Sequence, residues 1–287
     1  MPSSITHELI AETAAKQLPT TLRAASEHPD YFFLGAQGPD LFFFYRYLQR
    51  KELNFGKFLH RHRPLDCFEY FLRKAKEGND RMNAYIAGYI SHYCADVVFH
   101  PFVYAYLKRT HADKLEHQQM ESDWDVYFLR EKRGREVECY DFPFSGKRIA
   151  REGILYNLFA PLCLYLEREP LDEDKLASAL RSFEMYLNFF HGECYETSDS
   201  WLRVEKFFRA KSTLSRLFPR RIPDADYLYG DYFAELSGGV KNVDELFDRA
   251  VEETVRLTTI FFDCAEKDLP LPKEDFSKHF LTGKISE

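Results

Sequence analysis

The chain has 287 residues, 45% hydrophobic, 16% aromatic and 30% charged, ample for a sizeable core in one large domain or two. A formal net charge of −7 speaks against non-specific nucleic-acid binding; a phosphate-bearing substrate stays open, because bound divalent cations can dominate the field inside a site. No run approaches the roughly 18–20 apolar residues of a transmembrane helix, and the polar start MPSSITHELIAETAAKQL lacks the marks of a secretion signal, so a cytoplasmic protein is expected.

Residues 5–18 (ITHELIAETAAKQL) read as a helix, with Ile5, Leu9, Ile10, Ala14 and Leu18 on a helical period. Thr6 is the expected N-cap, Glu8 and Glu12 suit the positive end of the dipole, and His7 falls in the first turn. Residues 31–40 (YFFLGAQGPD) read as a turn region ending at Asp40, a residue type that ordinarily caps a helix in this position. The apolar run 41–45 (LFFFY) is either core or an exposed wall for an acyl chain or a membrane surface. Residues 55–64 (FGKFLHRHRP) offer His60 and His62, which cannot face the same way on a helix but can on an extended segment, so the choice between them stays open. An amphipathic helix over 64–78 is stopped by Gly78.

The stretch 91–101 (SHYCADVVFHP) organises the chain. His92, Asp96 and His100 stand at i, i+4 and i+8, so on a helix three ligand-type groups line one face. Pro101 predicts that the helix over 80–99 ends or kinks, leaving His100 free to swing toward whatever His92 and Asp96 hold. A buried carboxylate is costly unless paired or bound to metal, and two His with an Asp in phase point to a metal, zinc above all. Ala84, Ala87, Gly88, Ser91 and Ala95 form a small-residue stripe that lets a neighbouring helix approach closely. Residues 111–129 are the next helix, with His117 and Glu121 at the chelating i, i+4 spacing; His111, Asp123 and Asp125 are out of phase.

Eight of the ten histidines precede residue 118, and the chemistry thins out after residue 145. Residues 148–168 (broken at Pro161), 172–190, 198–217 and 242–266 read as amphipathic helices, and 219–239, with Pro223, Gly230, Gly238 and Gly239, as an irregular connection. No segment alternates with a two-residue period, so the fold class is all-α. The six cysteines (67, 94, 139, 163, 194 and 264) are scattered without a C-x-x-C, against a disulfide framework or a thiolate zinc site.

Taken in order, His7, Asp40, His60 (or His62), His92, Asp96, His100, His117 and Glu121 resemble the ligand series of the bacterial zinc-dependent phospholipase C family, whose site is shared by single-strand-specific zinc nucleases. There an all-helical domain holds three zinc ions with ligands that run His, Asp, His, then H-x-x-x-D, then His, then H-x-x-x-E or H-x-x-x-D. Here those last motifs are His92–Asp96 and His117–Glu121, and the likeness covers roughly residues 5–125. It implies that Asp96 bridges two zincs, Asp40, His60 and His92 completing one and His7 helping to hold the other, while His100, His117 and Glu121 hold a third. Two departures stand out. The secreted relatives also ligate metal through a mature N-terminal Trp, where this chain has Met1 and Pro2 before His7, and their spacing between the residues matching Asp96 and His100 is longer.

The expected organisation is a metal-binding helical domain over residues 1–145, with residues 146–287 as a C-terminal helical extension packed on it as one unit. The expected function is a zinc-dependent hydrolase of phosphate esters, most simply a phosphodiester such as a phospholipid head group or another small phosphate ester. A zinc pair about 3.5–4 Å apart lowers the pKa of a bridging water toward about 7 and clamps phosphoryl oxygens. Asp40 is then both a ligand and the candidate catalytic group that orients or deprotonates the water, and Asp123 and Asp125 are candidate acceptors for the ligand imidazoles. The aromatics between 42 and 47, Tyr47 among them, can contact acyl chains or stack bases. Two or three zincs are expected; iron or manganese is compatible with the same donors. The alternative is a metal-stabilised helical scaffold or regulatory module without turnover. His–Asp phosphohydrolases are set aside because their H-D doublet is missing.

Overall fold

The computed structural model describes residues 4–19, 22, 27–45, 54–137, 140–191, 195–208, 215–220 and 226–285. Met1, Pro2, Tyr47, Cys139, Cys194 and Pro223 lie outside the described residues. In chain order the helices are α1 (Ser4–Ala15), α2 (Pro29–Ala36), α3 (Phe55–Arg61), α4 (Pro64–Ala75), α5 (Asp80–Thr110), α6 (Lys114–Arg133) and α7 (Gly146–Glu152). They continue with α8 (Ile154–Tyr165), α9 (Glu173–His191), α10 (Tyr195–Phe207), α11 (Asp231–Leu236), α12 (Val243–Lys267) and α13 (Lys273–Phe276). A 3-10 segment, Gly38–Phe43, follows α2. Among the described residues there are only isolated β-bridges, Tyr229 to Asn242 and Lys278 to Ile285, and no strand, so the fold is all-α.

The central helix α5 starts where Asn79 accepts a hydrogen bond from the Met82 amide, and it is buried along most of its length from Met82 to Val103. It does not end or leave the helical path at Pro101, as the sequence predicts; it runs on to Thr110 and closes with His111 in the left-handed conformation. An interior proline costs about 3 kcal/mol through its lost N–H and a ring clash. Burial of Phe99, Phe102 and Val103 on either side of it offsets that cost. His100 therefore stays on the same helix face as Asp96.

The small-residue stripe works as expected. A Cβ on Gly88 would lie 2.0 Å from the Phe32 carbonyl oxygen, and one on Gly35 2.2 Å from that of Tyr85, so α2 and α5 touch backbone to backbone. Residues 31–36, read as a turn from sequence, are helical because this contact and Pro29 at the first turn support α2. Thr6 is not a cap either: its N–H and hydroxyl both donate to Asp125 Oδ1 at 2.7 Å, so a carboxylate from α6 satisfies the first turn of α1. In the C-terminal half the break falls at Gly153, between α7 and α8, while Pro161 lies inside α8.

Two buried apolar clusters hold the fold. One includes Phe68, Phe71, Tyr85, Tyr89, Phe159, Phe183 and Phe261; the other includes Ile5, Phe102, Trp124, Phe128, Phe233 and Phe247. Both α5 and α12 contribute to both clusters, and each cluster draws residues from either side of position 145. Cys67, Cys94, Cys163 and Cys264 are free and buried.

Candidate metal centre

Five segments deliver the site. The first turns of α1 bring His7, the 3-10 segment Asp40, α3 His60, α5 His92, Asp96 and His100, and α6 His117 and Glu121. Asp40 is no N-cap: it is buried, with Oδ1 3.1 Å from His60 Nε2. Because residues 55–61 are helical, only one of the two neighbouring imidazoles can face inward; it is His60, and His62 is exposed at the end of α3. Gly38 makes room for the central ring: it has φ +53°, and a Cβ there would come 2.3 Å from the His92 imidazole.

Asp96 lies at the middle. Its Oδ1 is 3.5 Å from His7 Nε2 and 3.6 Å from His100 Nδ1, and its Oδ2 is 3.4 Å from His92 Nε2 and 3.7 Å from His60 Nε2. His100 Nε2 is 3.6 Å from Glu121 Oε1, which also lies 2.9 Å from His117 Nε2. Three sets of donor atoms each fall within 4.8 Å of one another: His7, His92 and Asp96; Asp40, His60 and His92; His100, His117 and Glu121. The rings of His7 and His92 stack with centroids 4.2 Å apart.

Asp96 lies 3.4–3.7 Å from the Nε2 atoms of His7, His60 and His92, and Glu121 3.6 Å from His100 Nε2, separations that fit metal coordination better than hydrogen bonding. His117 and Glu121, at 2.9 Å, are within hydrogen-bond distance. Two ligands about 2.0–2.1 Å from a zinc at a tetrahedral angle lie about 3.3–3.4 Å apart, whereas a good N–H···O bond is near about 2.9 Å. His7 Nδ1, His92 Nε2 and Asp96 Oδ2 are buried and have no hydrogen-bond partner among the described residues. Buried polar atoms left so are costly unless a cation takes them up, and the donor set of imidazoles and carboxylates suits one.

The electrostatics keep the carboxylates of the site charged. Burial pushes the Asp96 carboxyl up, but the charges on His100 and His92 hold it well below the usual range. Against the same penalty, His117 and His100 hold Glu121 well below, and a hydrogen bond from His60 and the charge on His92 lower Asp40. Burial disfavours charged His92 and His100, yet Asp96 raises both, His100 to about 9 with help from Glu121. His7 is lowered by burial and by His92, which favours the neutral imidazole a metal binds.

The acceptors that orient the imidazoles are backbone carbonyls. Nδ1 of His92 meets Ala36 O at 3.1 Å, that of His60 meets Gly56 O at 2.6 Å, and that of His100 meets Phe280 O at 3.2 Å. Asp123 and Asp125, the acceptors expected from sequence, are committed elsewhere: Asp123 to Arg220 and Tyr227, Asp125 to Thr6. Asp123 lies off the His117–Glu121 face of α6, whereas Asp125, four residues beyond Glu121, shares that face one turn further on and is taken up by Thr6 at the start of α1.

The donors other than His92 border a cavity of about 170 Å³ whose remaining walls are Phe43, Lys57, Arg61, Tyr104 and Leu281. Sequence reasoning passed over all of these except Phe43, part of the aromatic run. Lys57 and Arg61 carry a usable signal, since they stand three before and one after His60 on one short helix. Leu281 carries none. Of the aromatic run, Phe42 is core and Phe43 stacks on His60 with centroids 5.3 Å apart.

No curated protein and no solved structure matches the chain. A model of the zinc dependent phospholipase C family matches residues 6–208, more than half of the chain, from just before His7 to beyond Glu121. Together with its all-helical fold, that match establishes that the chain belongs to the zinc-dependent phospholipase C family.

Proposed function

We propose that the protein is a zinc-dependent hydrolase of phosphate esters that acts on a phosphodiester, with a phospholipid head group as the first candidate. The observation that carries this reading is the gathering of three ligand sets around the single carboxylate of Asp96, beside a cavity. The ligands are His7, Asp40, His60, His92, Asp96, His100, His117 and Glu121, and they suffice for two or three ions. The metal-binding part is residues 1–145, with residues 146–287 as the extension packed on it. Zinc fits the donors; iron or manganese is the nearest substitute.

Bound cations of this kind neutralise phosphoryl oxygens and make water a competent nucleophile near neutral pH. This chain's own residues do the rest. Asp96 and Glu121 keep their charge in a buried site, and the carbonyls of Ala36, Gly56 and Phe280 hold three imidazoles in one orientation. Lys57 and Arg61 at the cavity wall attract an anionic ester. Asp40 accepts a proton from the attacking water as its oxygen bonds to phosphorus; the ester oxygen leaves with the electron pair of the broken P–O bond and takes a proton from solvent, to which Asp40 returns its own. No described helix is long and apolar enough to cross a membrane.

The test is elemental analysis of protein purified without added metal, beside the His92→Ala/Asp96→Ala double variant, with turnover measured on a soluble phosphodiester and on phospholipid. Two or three zincs per chain that the variant loses together with turnover support the reading. Stoichiometric zinc without hydrolysis of any phosphate ester means a metal-stabilised scaffold instead, and no metal in the wild type overturns both.

A further inference from the structure

The last turns of the chain, residues 276–285, lie outside the family-matched residues 6–208, yet they sit against the metal centre. Phe280 is buried, its ring 5.4 Å from that of His60 and 6.2 Å from that of His92, and it also packs on Tyr89 and Tyr93. Its carbonyl faces His100 Nδ1 at 3.2 Å, and the next side chain, Leu281, forms part of the cavity wall.

This segment is tied down at several points. The Tyr93 hydroxyl donates to Asp275 O and accepts from the Lys278 amide, both at 2.9 Å. The His279 amide donates to Lys284 O at 2.7 Å, closing a turn, and Arg256 on α12 pairs with Asp275 at 2.6 Å. Gly283 then fits against the notch at Pro101. It has φ +63°, and a Cβ there would lie 3.0 Å from Val97 O and 3.1 Å from Pro101 Cγ. The carbonyl at Val97 is the one a proline at 101 deprives of its helical N–H. The proline that seemed from sequence to free His100 is thus where the end of the chain docks.

We propose that this C-terminal strap is a working part of the centre, with the Phe280 carbonyl as the positioning group for His100 and Leu281 as the residue that limits the size of the ester. An imidazole that gives its Nδ1–H to a carbonyl presents the Nε2 lone pair, and His100 Nε2 is the nitrogen nearest Glu121. His60 and His92 take the corresponding carbonyls from Gly56 and Ala36, within the family-matched residues, whereas His100 takes its own from the strap. The cavity, at about 170 Å³, is small beside the roughly 300–1,000 Å³ typical of ligand pockets. A leucine on its wall therefore governs which ester group enters. The role of Leu281 rests on the hydrolase reading; that of the Phe280 carbonyl needs only a bound metal.

The test compares the wild type with Gly283→Val, Leu281→Ala and a chain ended after Phe276. Zinc affinity is measured by chelator competition, ligand geometry by the visible spectrum of the cobalt(II) form, and specificity by rates on two soluble phosphodiesters that differ only in the bulk of one ester group. Gly283→Val and the shortened chain should bind zinc about 10–100-fold more weakly, with a changed cobalt spectrum and unchanged helix content. Leu281→Ala should keep both affinity and spectrum while shifting the rate ratio toward the bulkier ester. Unchanged zinc affinity and cobalt spectrum in a folded Gly283→Val protein overturn the positioning role, and an unchanged rate ratio in Leu281→Ala overturns the size limit. If the shortened chain does not fold, the two point variants still decide. A wild type that binds zinc but turns over neither ester shows the failure of the hydrolase reading, separately from that of the strap.

Discussion

His60 and His62 show how one residue's role depends on one dihedral choice. Both are ligand-competent and two apart, and the helix Phe55–Arg61 turns the first inward and the second to solvent. His62→Ala should therefore keep the zinc content and turnover of the wild type, while His60→Ala loses at least one ion per chain; elemental analysis with a rate assay reads both. Asp96 is the other decisive residue, because its two oxygens lie between four imidazoles. Asp96→Asn keeps the shape but removes the charge that offsets bound cations, and it should abolish both stoichiometric zinc and hydrolysis. Full zinc in that variant would sink the assignment of Asp96 to the centre. The in-phase positions His92, Asp96, His100, His117 and Glu121 were legible in the sequence because helical periodicity is local.

At the level of elements, the close contact of α2 with α5 places the segment that carries Ala36, Gly38 and Asp40 over His92. Gly88→Ala puts a methyl group into the Phe32 carbonyl and should cost about 1–3 kcal/mol in urea unfolding, with zinc affinity falling because Ala36 O moves off His92. A variant as stable as the wild type would show that the two helices are free to separate. The other coupling joins α12 to α13. Arg256 beside Asp275 holds its carboxyl below the usual range, so the pair stabilises the fold at pH values above the unfolded carboxyl's pKa and the contribution is lost as pH falls through the lower folded value. Asp275→Asn should thus be less stable than the wild type by about 0.5–1 kcal/mol at pH 6 and equal to it once Asp275 is protonated in strong acid. Denaturant curves at both pH values check the sign.

For the molecule as a whole, the centre ties together α1, the 3-10 segment, α3, α5 and α6, so metal bound there is cross-linking energy for the entire fold. A ligand at a thousandfold excess over its Kd stabilises the native state by about 4 kcal/mol. Chelation should accordingly lower the calorimetric Tm by roughly 10 °C, and zinc alone should restore it. A Tm indifferent to chelator would mean that the ligand sets hold no structural metal. The two apolar clusters, each built from both halves of the chain, make the loss cooperative across all the helices they join.

The sequence by itself determined the all-α class, the resemblance to zinc-dependent phospholipases C and the order of the candidate ligands. Each of these rests on periodicity or on residue type in chain order, which need no knowledge of what lies across the molecule. Only the tertiary structure decided the rest. It kept α5 helical through Pro101, since the burial of Phe99, Phe102 and Val103 outweighs a local preference to stop. It turned residues 31–36 from an expected turn into a helix, through a backbone contact that only Gly35 and Gly88 allow. It also gave the orienting role to carbonyls at 36, 56 and 280 in place of Asp123 and Asp125, and brought Leu281 to the cavity from the far end of the chain. A carbonyl is present at every residue and a leucine at any core position, so neither announces itself until folding has chosen its neighbours.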